Sequence, residues 1–304
     1  MKNRSKLQKV LQTPGRAFMN VIYKMPFLSK HIDDEAYLKF IYFFCFWKKL
    51  NLKNPKTYNE KLQWIKLYDR RDIYTTMVDK YEAKKYVADI IGEDYIIPTL
   101  GVWDTFDEID FDKLPDRFVL KCTHDSGGLV ICKDKKVFDK EAAKNKINKS
   151  LKNNYYYLGR EWPYKNVKPR IIAESYMEDR KGELKDYKFF CFNGIPKMLF
   201  IASDRGIDTR FDFYDSEFNH LPFMQGHPNS EKKIDCPDGF EEMKKLSSDL
   251  SKDIPAIRVD FYNVDGKIYF GELTLFHFSG FVPFEPSEWD EKLGNLIDLQ
   301  KDKA

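Results

Sequence analysis

Three observations predict an α+β fold for this sequence. Helical spacing dominates the first hundred residues. Antiparallel hairpins follow, turning at Thr123–Gly128, Asn193-Gly194 and Asp265-Gly266. The composition, 42% hydrophobic and 16% aromatic, supplies a real core. Helices and antiparallel hairpins in this order build an α+β chain.

The elements follow in order. Residues 33–50 read as helix. Their most apolar run, Phe40–Trp47, is far shorter than the roughly 20 residues that span a bilayer. It is closed by Lys39, Lys48 and Lys49 and reads as a buried helical segment. Residues 56–70 carry Leu62, Trp64, Ile65 and Leu67 on a second helix, with Thr57 or Asn59 as cap. Thr75–Ile91 has helical spacing up to Gly92. Tyr95–Thr99 and Gly101–Trp103 are extended pieces around Pro98. Arg117–Cys122 and Leu129–Cys132 are strands joined by a Gly-rich loop. Lys140–Asn154 is a polar helix and Arg170–Tyr176 a strand. Asp186–Phe192 and Lys197–Ala202 pair across Asn193-Gly194, a strong hairpin signal. Residues 238–253 are helical. Ala256–Asn263 and Ile268–Thr274 form the third hairpin, and a short helix around Lys292–Leu299 closes the chain.

Charge narrows the function classes. There are 51 Lys+Arg against 48 Asp+Glu, a net charge of +3, too balanced for a whole-chain nucleic-acid binder. The balance hides an asymmetry. Residues 1–32 hold Lys2, Arg4, Lys6, Lys9, Arg16, Lys24 and Lys30 and no acid. Mixed with apolar residues, such a segment either lies on an anionic membrane surface or packs on the body with a solvated basic face. Pro14-Gly15 and Pro26 break any long helix there. No signal-peptide pattern is present. Cys45, Cys122, Cys132, Cys191 and Cys236 form no C-x-x-C pair, which fits a reducing cytoplasm.

Four constellations carry chemistry. Lys121 ends a strand before Thr123–Gly128, so an ammonium and glycine-loop N–H groups can meet phosphates; the bland reading is an ordinary hairpin. Asp260 and Glu272 lie on two arms of one hairpin beside Arg258, where acids on one face can share Mg²⁺; the bland reading is a pair of edge acids. Glu174, Tyr176 and Met177 end a strand whose backbone can address an adenine edge, or are simply a strand end. Asp79-Lys80 heads a helix, or is a charged surface pair.

Taken together and in this order, the parts resemble the ATP-grasp superfamily, in its TupA-like branch associated with polysaccharide gene clusters. The likeness rests on Asn54–Lys61, Phe118–His124, Pro169–Glu174, Asp186–Gly194, Arg258–Tyr262, Phe270–Thr274 and Ser279-Gly280, covering roughly residues 50–300. It implies an ATP-grasp fold, two α+β subdomains clasping ATP, behind an N-terminal helical extension. The implied divisions are 1–50 (basic, aromatic extension), 51–116 (helical region), 117–176 (small subdomain) and 177–304 (large subdomain with the metal site). It implies that Lys80 and Lys121 hold ATP phosphates, under a loop of Ser126, Gly127 and Gly128. Glu174, Tyr176 and Met177 match the adenine linker, and Asp186 a ribose-binding acid. Asp260 and Glu272 match Mg²⁺ ligands. Thr274 stands where the superfamily has Asn, which puts a second ion in question. Arg258 matches a residue that steadies carbonyl charge, with Lys188 and His124 as further catalytic candidates. His277 is a second candidate for moving a proton, and Arg205 and Arg210 for holding phosphate or carboxylate.

The implied reaction is ATP-dependent ligation of a carboxylate to an amine through an acyl phosphate. The branch's context implies a carboxylate-bearing sugar of a surface polysaccharide, or its lipid-linked precursor, and an amino acid. Three rivals stand beside it: a phosphotransferase on the same fold, a non-catalytic sugar-binding module, and a glycosyltransferase using Asp110-Phe111-Asp112 as a D-x-D site.

Overall fold

The computed structural model describes residues 14–180, 184–203, 208–232 and 234–299. Lys2, Arg4, Lys6, Lys9 and Arg205 lie outside them. Three helices open the described chain: α1 (Pro14–Tyr23), α2 (Pro26–His31) and α3 (Asp34–Phe46). Asp33 caps α3 by accepting the Ala36 N–H at 3.0 Å. Met19 and Ile22 of α1 pack with Leu38, Ile41 and Tyr42 of α3 and with the distant Phe281, fixing the helices to the body.

Phe40–Trp47 departs from expectation. Ile41, Tyr42 and Cys45 are buried, but Phe40 is 41% exposed, Phe43 38% and Trp47 61%. A helix packed on one side buries residues three and four apart. A continuous apolar run therefore overfills that side.

Helix α4 (Tyr58–Tyr68) starts with a capping box. Thr57 Oγ1 accepts the Glu60 N–H at 3.2 Å, and Glu60 accepts the Thr57 N–H at 3.2 Å. The helix expected over Thr75–Ile91 is two: α5 (Ile73–Val78) and α6 (Glu82–Ile91). Asp79 causes the break. Its carboxylate accepts the N–H groups of Tyr81 at 2.9 Å and Glu82 at 3.3 Å, starting a new helix. The Lys80 N–H instead reaches Thr123 O at 3.1 Å.

Two antiparallel sheets follow. The first has β1 (Thr99–Trp103), β2 (Phe118–Cys122), β3 (Leu129–Cys132) and β4 (Ile171–Ser175) in the order β1-β4-β2-β3. It takes a strand from before residue 117. Phe118, Leu120 and Cys122 point inward to a core closed by Ala143 and Ile147 of α7 (Lys140–Leu151), which leaves Val119 and Lys121 on the other face. A short α8 (Tyr156–Gly159) precedes β4.

The second sheet has β5 (Lys185–Phe192), β6 (Ile195–Ser203), β7 (Arg210–Asp215), β9 (Ala256–Val264) and β10 (Lys267–Thr274), ordered β10-β9-β5-β6-β7. Its hairpin turns use Asn193-Gly194 (φ 51° and 81°) and Asp265-Gly266 (φ 53° and 89°), the positive-φ pairs that a type I′ turn requires. Helix α9 (Phe240–Leu250) covers one face, with Phe240 against Phe189. β8 (Met224–Gln225) and β11 (Phe284–Glu285) form a small ribbon. The last helix, α10 (Glu288–Gly294), starts earlier than expected. Glu288, Asp290 and Glu291 fill its first turn, where the helix dipole favours acids.

Candidate active site

The face of the second sheet opposite α9 carries the charged cluster, beside Phe190 and Phe192, which pack against Tyr58 of α4. Residues at matching positions on neighbouring strands share a face. Lys188 lies opposite Asp260, Asp260 opposite Glu272, and Arg258 opposite Thr274. This arrangement depends on a bulge. Symmetry about the Asp265-Gly266 turn would put Gly271 opposite Asp260 and send Glu272 to the other face. The register instead slips between Phe270 and Glu272. Glycine suits the bulge because a Cβ there would sit 3.1 Å from Asp260 O.

Arg258 ties the cluster together. Its Nε and Nη2 donate to the two oxygens of Asp260 at 2.7 and 2.8 Å. Nη2 also reaches Glu272 Oε1 at 2.9 Å and Thr274 Oγ1 at 3.0 Å. Nη1 donates to His277 Nδ1 at 2.7 Å. Lys188 Nζ pairs with Asp260 and, at 2.7 Å, with Asp186. Burial and then the cations Arg258 and Lys188 hold His277 well below its ordinary pKa. It is a neutral acceptor that orients Arg258.

Glu272 faces the first sheet, its side chain 40% exposed. Burial pushes its carboxyl up. Lys188, Arg258, Lys80 and Lys121 outweigh that and hold it at about 2. Cations from both sheets and from the α5–α6 junction thus converge on one carboxylate. Lys80, Lys121 and Glu174 line one wall of this cleft; Phe270, Glu272 and Leu273 line the other.

On the first sheet, Lys121 Nζ pairs with buried Glu174 at 2.5 Å. Lys84 Nζ meets the same carboxylate at 2.6 Å and Ile97 O at 2.6 Å. Burial raises the Glu174 carboxyl, and Lys121 and Lys84 bring it below its ordinary value. Lys80 Nζ donates to Asp125 O, at the base of the glycine loop. Ser126 and Gly127 are exposed at the loop tip. Gly128 is buried, and a Cβ there would lie 2.5 Å from Cys122 Sγ and 2.6 Å from Ser150 Oγ. Its N–H donates to Asp125 Oδ1 at 3.0 Å. The loop is therefore anchored at Asp125 and Gly128 and open between them.

Other candidates fall elsewhere. His124 is buried, and its Nε2 bonds the Ser150 and Asn153 carbonyls at 3.2 and 3.1 Å. With its proton on Nε2 the ring satisfies both carbonyls and fastens the end of α7, a use that competes with moving a proton in the cleft. Asp186 is spent on Lys188, and a ribose hydroxyl would compete with that pair. The Tyr176 hydroxyl donates to Glu178 at 3.0 Å, and Met177 is half-buried beside it. Arg210 donates to Asn229 O at 3.2 Å on β7, at the sheet edge away from β10. Asp110 and Asp112 are exposed in a one-turn helix, where Asp110 accepts the Asp112 N–H at 3.1 Å. They do not belong to the cleft.

Sequence reasoning missed Lys84, whose signal was its place one helical turn after Lys80. It also missed Arg170, which donates to Asp79 at 2.7 Å and Glu82 at 2.9 Å and so holds the break that aims Lys80.

Asp260, Glu272 and Thr274 offer hard oxygens that suit Mg²⁺, although both oxygens of buried Asp260 are held by Arg258 and Lys188 and would exchange those partners for the ion. Among the described residues, no cluster of three or more acidic, His or Cys side chains is set to hold a metal by itself. Two carboxylates and a hydroxyl fit an ion whose remaining ligands are phosphate and water.

The TupA-like ATP-grasp family model matches residues 60–298, well over half of the chain. No curated protein matches it. Among solved structures, the chain is similar to D-alanine–D-alanine ligase from Bacillus anthracis complexed with ATP (17% identity, 66% of this chain, 54% of that one, TM-score 0.39). It is also similar to the Helicobacter pylori D-alanine–D-alanine ligase (16%, 79% and 69%, TM-score 0.41). A third is the ATP-grasp ligase PsnB complexed with minimal precursor, Mg and ADP (9%, 71% and 57%, TM-score 0.37). The chain spans about half to two thirds of the length of these proteins. Their superpositions are loose, and the assignment rests on the family model. With its two antiparallel sheets, its glycine loop and its charged cleft, the chain belongs to the TupA-like ATP-grasp family of enzymes.

Proposed function

We propose that the chain is an ATP-dependent carboxylate–amine ligase. The observation that carries this reading is a cleft between two sheets in which Lys80 and Lys121 face Glu272, the carboxylate that Arg258 Nη2 meets at 2.9 Å. Lysines lining a cleft opposite a carboxylate that can share a divalent ion suit a polyphosphate. In the reaction, a substrate carboxylate oxygen attacks the γ-phosphorus and ADP leaves. The amine nitrogen then attacks the acyl phosphate carbon, and phosphate departs as the amide forms.

Lys80 and Lys121 neutralise phosphate charge. Ser126 and Gly127 would offer N–H groups from the exposed tip of the loop. Arg258 Nη2, which meets Glu272 at 2.9 Å, would stabilise charge on the reacting carbonyl. Asp260 and Glu272, with Thr274, would hold Mg²⁺, which supplies charge neutralisation for the phosphates when bound. The main chain at Glu174, Tyr176 and Met177 would meet adenine, while the Glu174 side chain holds Lys84 and Lys121 in position.

The acceptor we infer is a carboxylate-bearing sugar of a surface polysaccharide or its lipid-linked precursor, and the amine an amino acid. The likeness to the TupA-like branch supports this choice of substrates. We place the enzyme in the cytoplasm, touching the inner membrane face through residues 1–32. Its five unpaired cysteines are consistent with that compartment.

Thermal unfolding tests the nucleotide. ATP with Mg²⁺ at a hundredfold excess over Kd is expected to raise Tm by about 5 °C. UDP-glucose should leave Tm unchanged. Lys121→Ala should erase the ATP shift. A shift with UDP-glucose, or an undiminished ATP shift in Lys121→Ala, would contradict the assignment.

A further inference from the structure

The N-terminal helices expose an aromatic surface that the proposed reaction does not use. Phe18 on α1 is 47% exposed, and its ring lies 5.2 Å from that of Phe40 on α3. Phe40 stacks toward Phe44 at 4.8 Å, Phe44 meets Phe43 at 5.3 Å, and both meet Trp47 at 5.7 Å. The rings are one continuous patch. The opposite side of α3 is spent on the core.

The surroundings of the patch are basic. Arg16 lies on α1, Lys39 on α3, and Lys48 and Lys49 directly after Trp47, all exposed. Lys39 is paired with Glu35. The acids of this region, Asp33, Asp34 and Glu35, stand at the start of α3, while the rings occupy its second half. The chain before α1 adds Lys2, Arg4, Lys6 and Lys9 without an acid.

We propose that this face of α1 and α3 is a docking surface for an anionic lipid bilayer, with Phe40, Phe43 and Trp47 entering the headgroup boundary and the lysines meeting lipid charge. Aromatic rings framed by Lys and Arg fit the boundary between headgroups and acyl chains. Charge complementarity selects the occupant, since a second copy of the chain would set these lysines against themselves. The inference deepens the proposed membrane contact through residues 1–32 and rests on it. It adds the part of the surface that inserts.

The test is co-sedimentation of the full chain with vesicles of phosphatidylcholine alone or with phosphatidylglycerol. The wild type should sediment with the anionic vesicles only, and added salt should release it. Phe43→Ser/Trp47→Ser should weaken binding about tenfold or more. Lys48→Glu/Lys49→Glu should weaken it by a similar factor. Both pairs are exposed, and ADP release in solution should be unchanged in each variant. Vesicle binding by the wild type that survives Phe43→Ser/Trp47→Ser would overturn this inference and leave contact through the basic segment standing. Absence of wild-type binding would overturn both. A wild-type dimer that Phe43→Ser/Trp47→Ser dissociates, without vesicle binding, would assign the patch to a second copy and overturn the proposal.

Discussion

Arg258→Met is expected to lower ADP release about 100- to 1,000-fold, the range for removing a donor aimed at developing charge. The same change should cost about 3 kcal/mol of stability, because it leaves buried acids without their main partner. Arg258 makes five hydrogen bonds, to Asp260, Glu272, Thr274 and His277. Methionine fills much of the volume and makes none of them. Lys188 still pairs with Asp260, which keeps the loss at the lower end of the range for buried ion pairs. Arg258→Lys should retain more stability than activity, because an ammonium restores charge without the planar fork. Urea unfolding and initial rates of ADP release separate the two effects. A folded Arg258→Met variant with near-wild-type turnover would remove Arg258 from the reacting centre.

Glu272→Gln is expected to reduce turnover by a similar factor while leaving ATP binding intact or stronger. The change preserves shape and removes the carboxylate charge that Arg258 meets at 2.9 Å and that Lys188, Lys80 and Lys121 also stabilise. ATP then meets a more positive cleft, but the Mg²⁺ dependence of its binding should fade. The pH dependence has a definite sign. The folded pKa of about 2 lies below the ordinary 4.5. The stability that Glu272 contributes is therefore fully present above pH 4.5 and lost as pH falls through 2. The variant's deficit in Tm at pH 7 should shrink below pH 4.5. A deficit that stayed constant across that window would show that the carboxylate charge is not what the cluster uses.

Much of this was legible in the sequence for reasons that can be named. Asn193-Gly194 and Asp265-Gly266 announce hairpins because few other pairs accept positive φ so readily. Thr57 and Glu60 announce a helix start because their spacing closes a capping box. Their place on the two arms of one hairpin pairs Asp260 with Glu272, and the two do face each other, but only through the bulge at Gly271. Counting from the turn alone would have separated them. A glycine inside a strand pattern was the available warning.

What stayed hidden was set by contacts distant in sequence. Asp79 breaks a helix that spacing alone would continue, because Arg170 and the Thr123 carbonyl hold the junction open. His124 follows the strand that carries Lys121, which suggested chemistry, yet the carbonyls at the end of α7 claim its ring. Phe40–Trp47 is hydrophobic enough to be buried whole, but the core offers it only one side. In each case the local pattern fixed the residue's capability, and a remote partner fixed its use.

On the proposed function, the cleft joins a carboxylate to an amine at the expense of ATP. The most direct measurement incubates the full chain with ATP, Mg²⁺, a glucuronic-acid oligosaccharide and each amino acid in turn, following ADP and the sugar product together. ADP release should require both the sugar acid and one amino acid, with one amide formed per ADP. Rapid ADP release that needs no amine and leaves a stable phosphorylated sugar would contradict it.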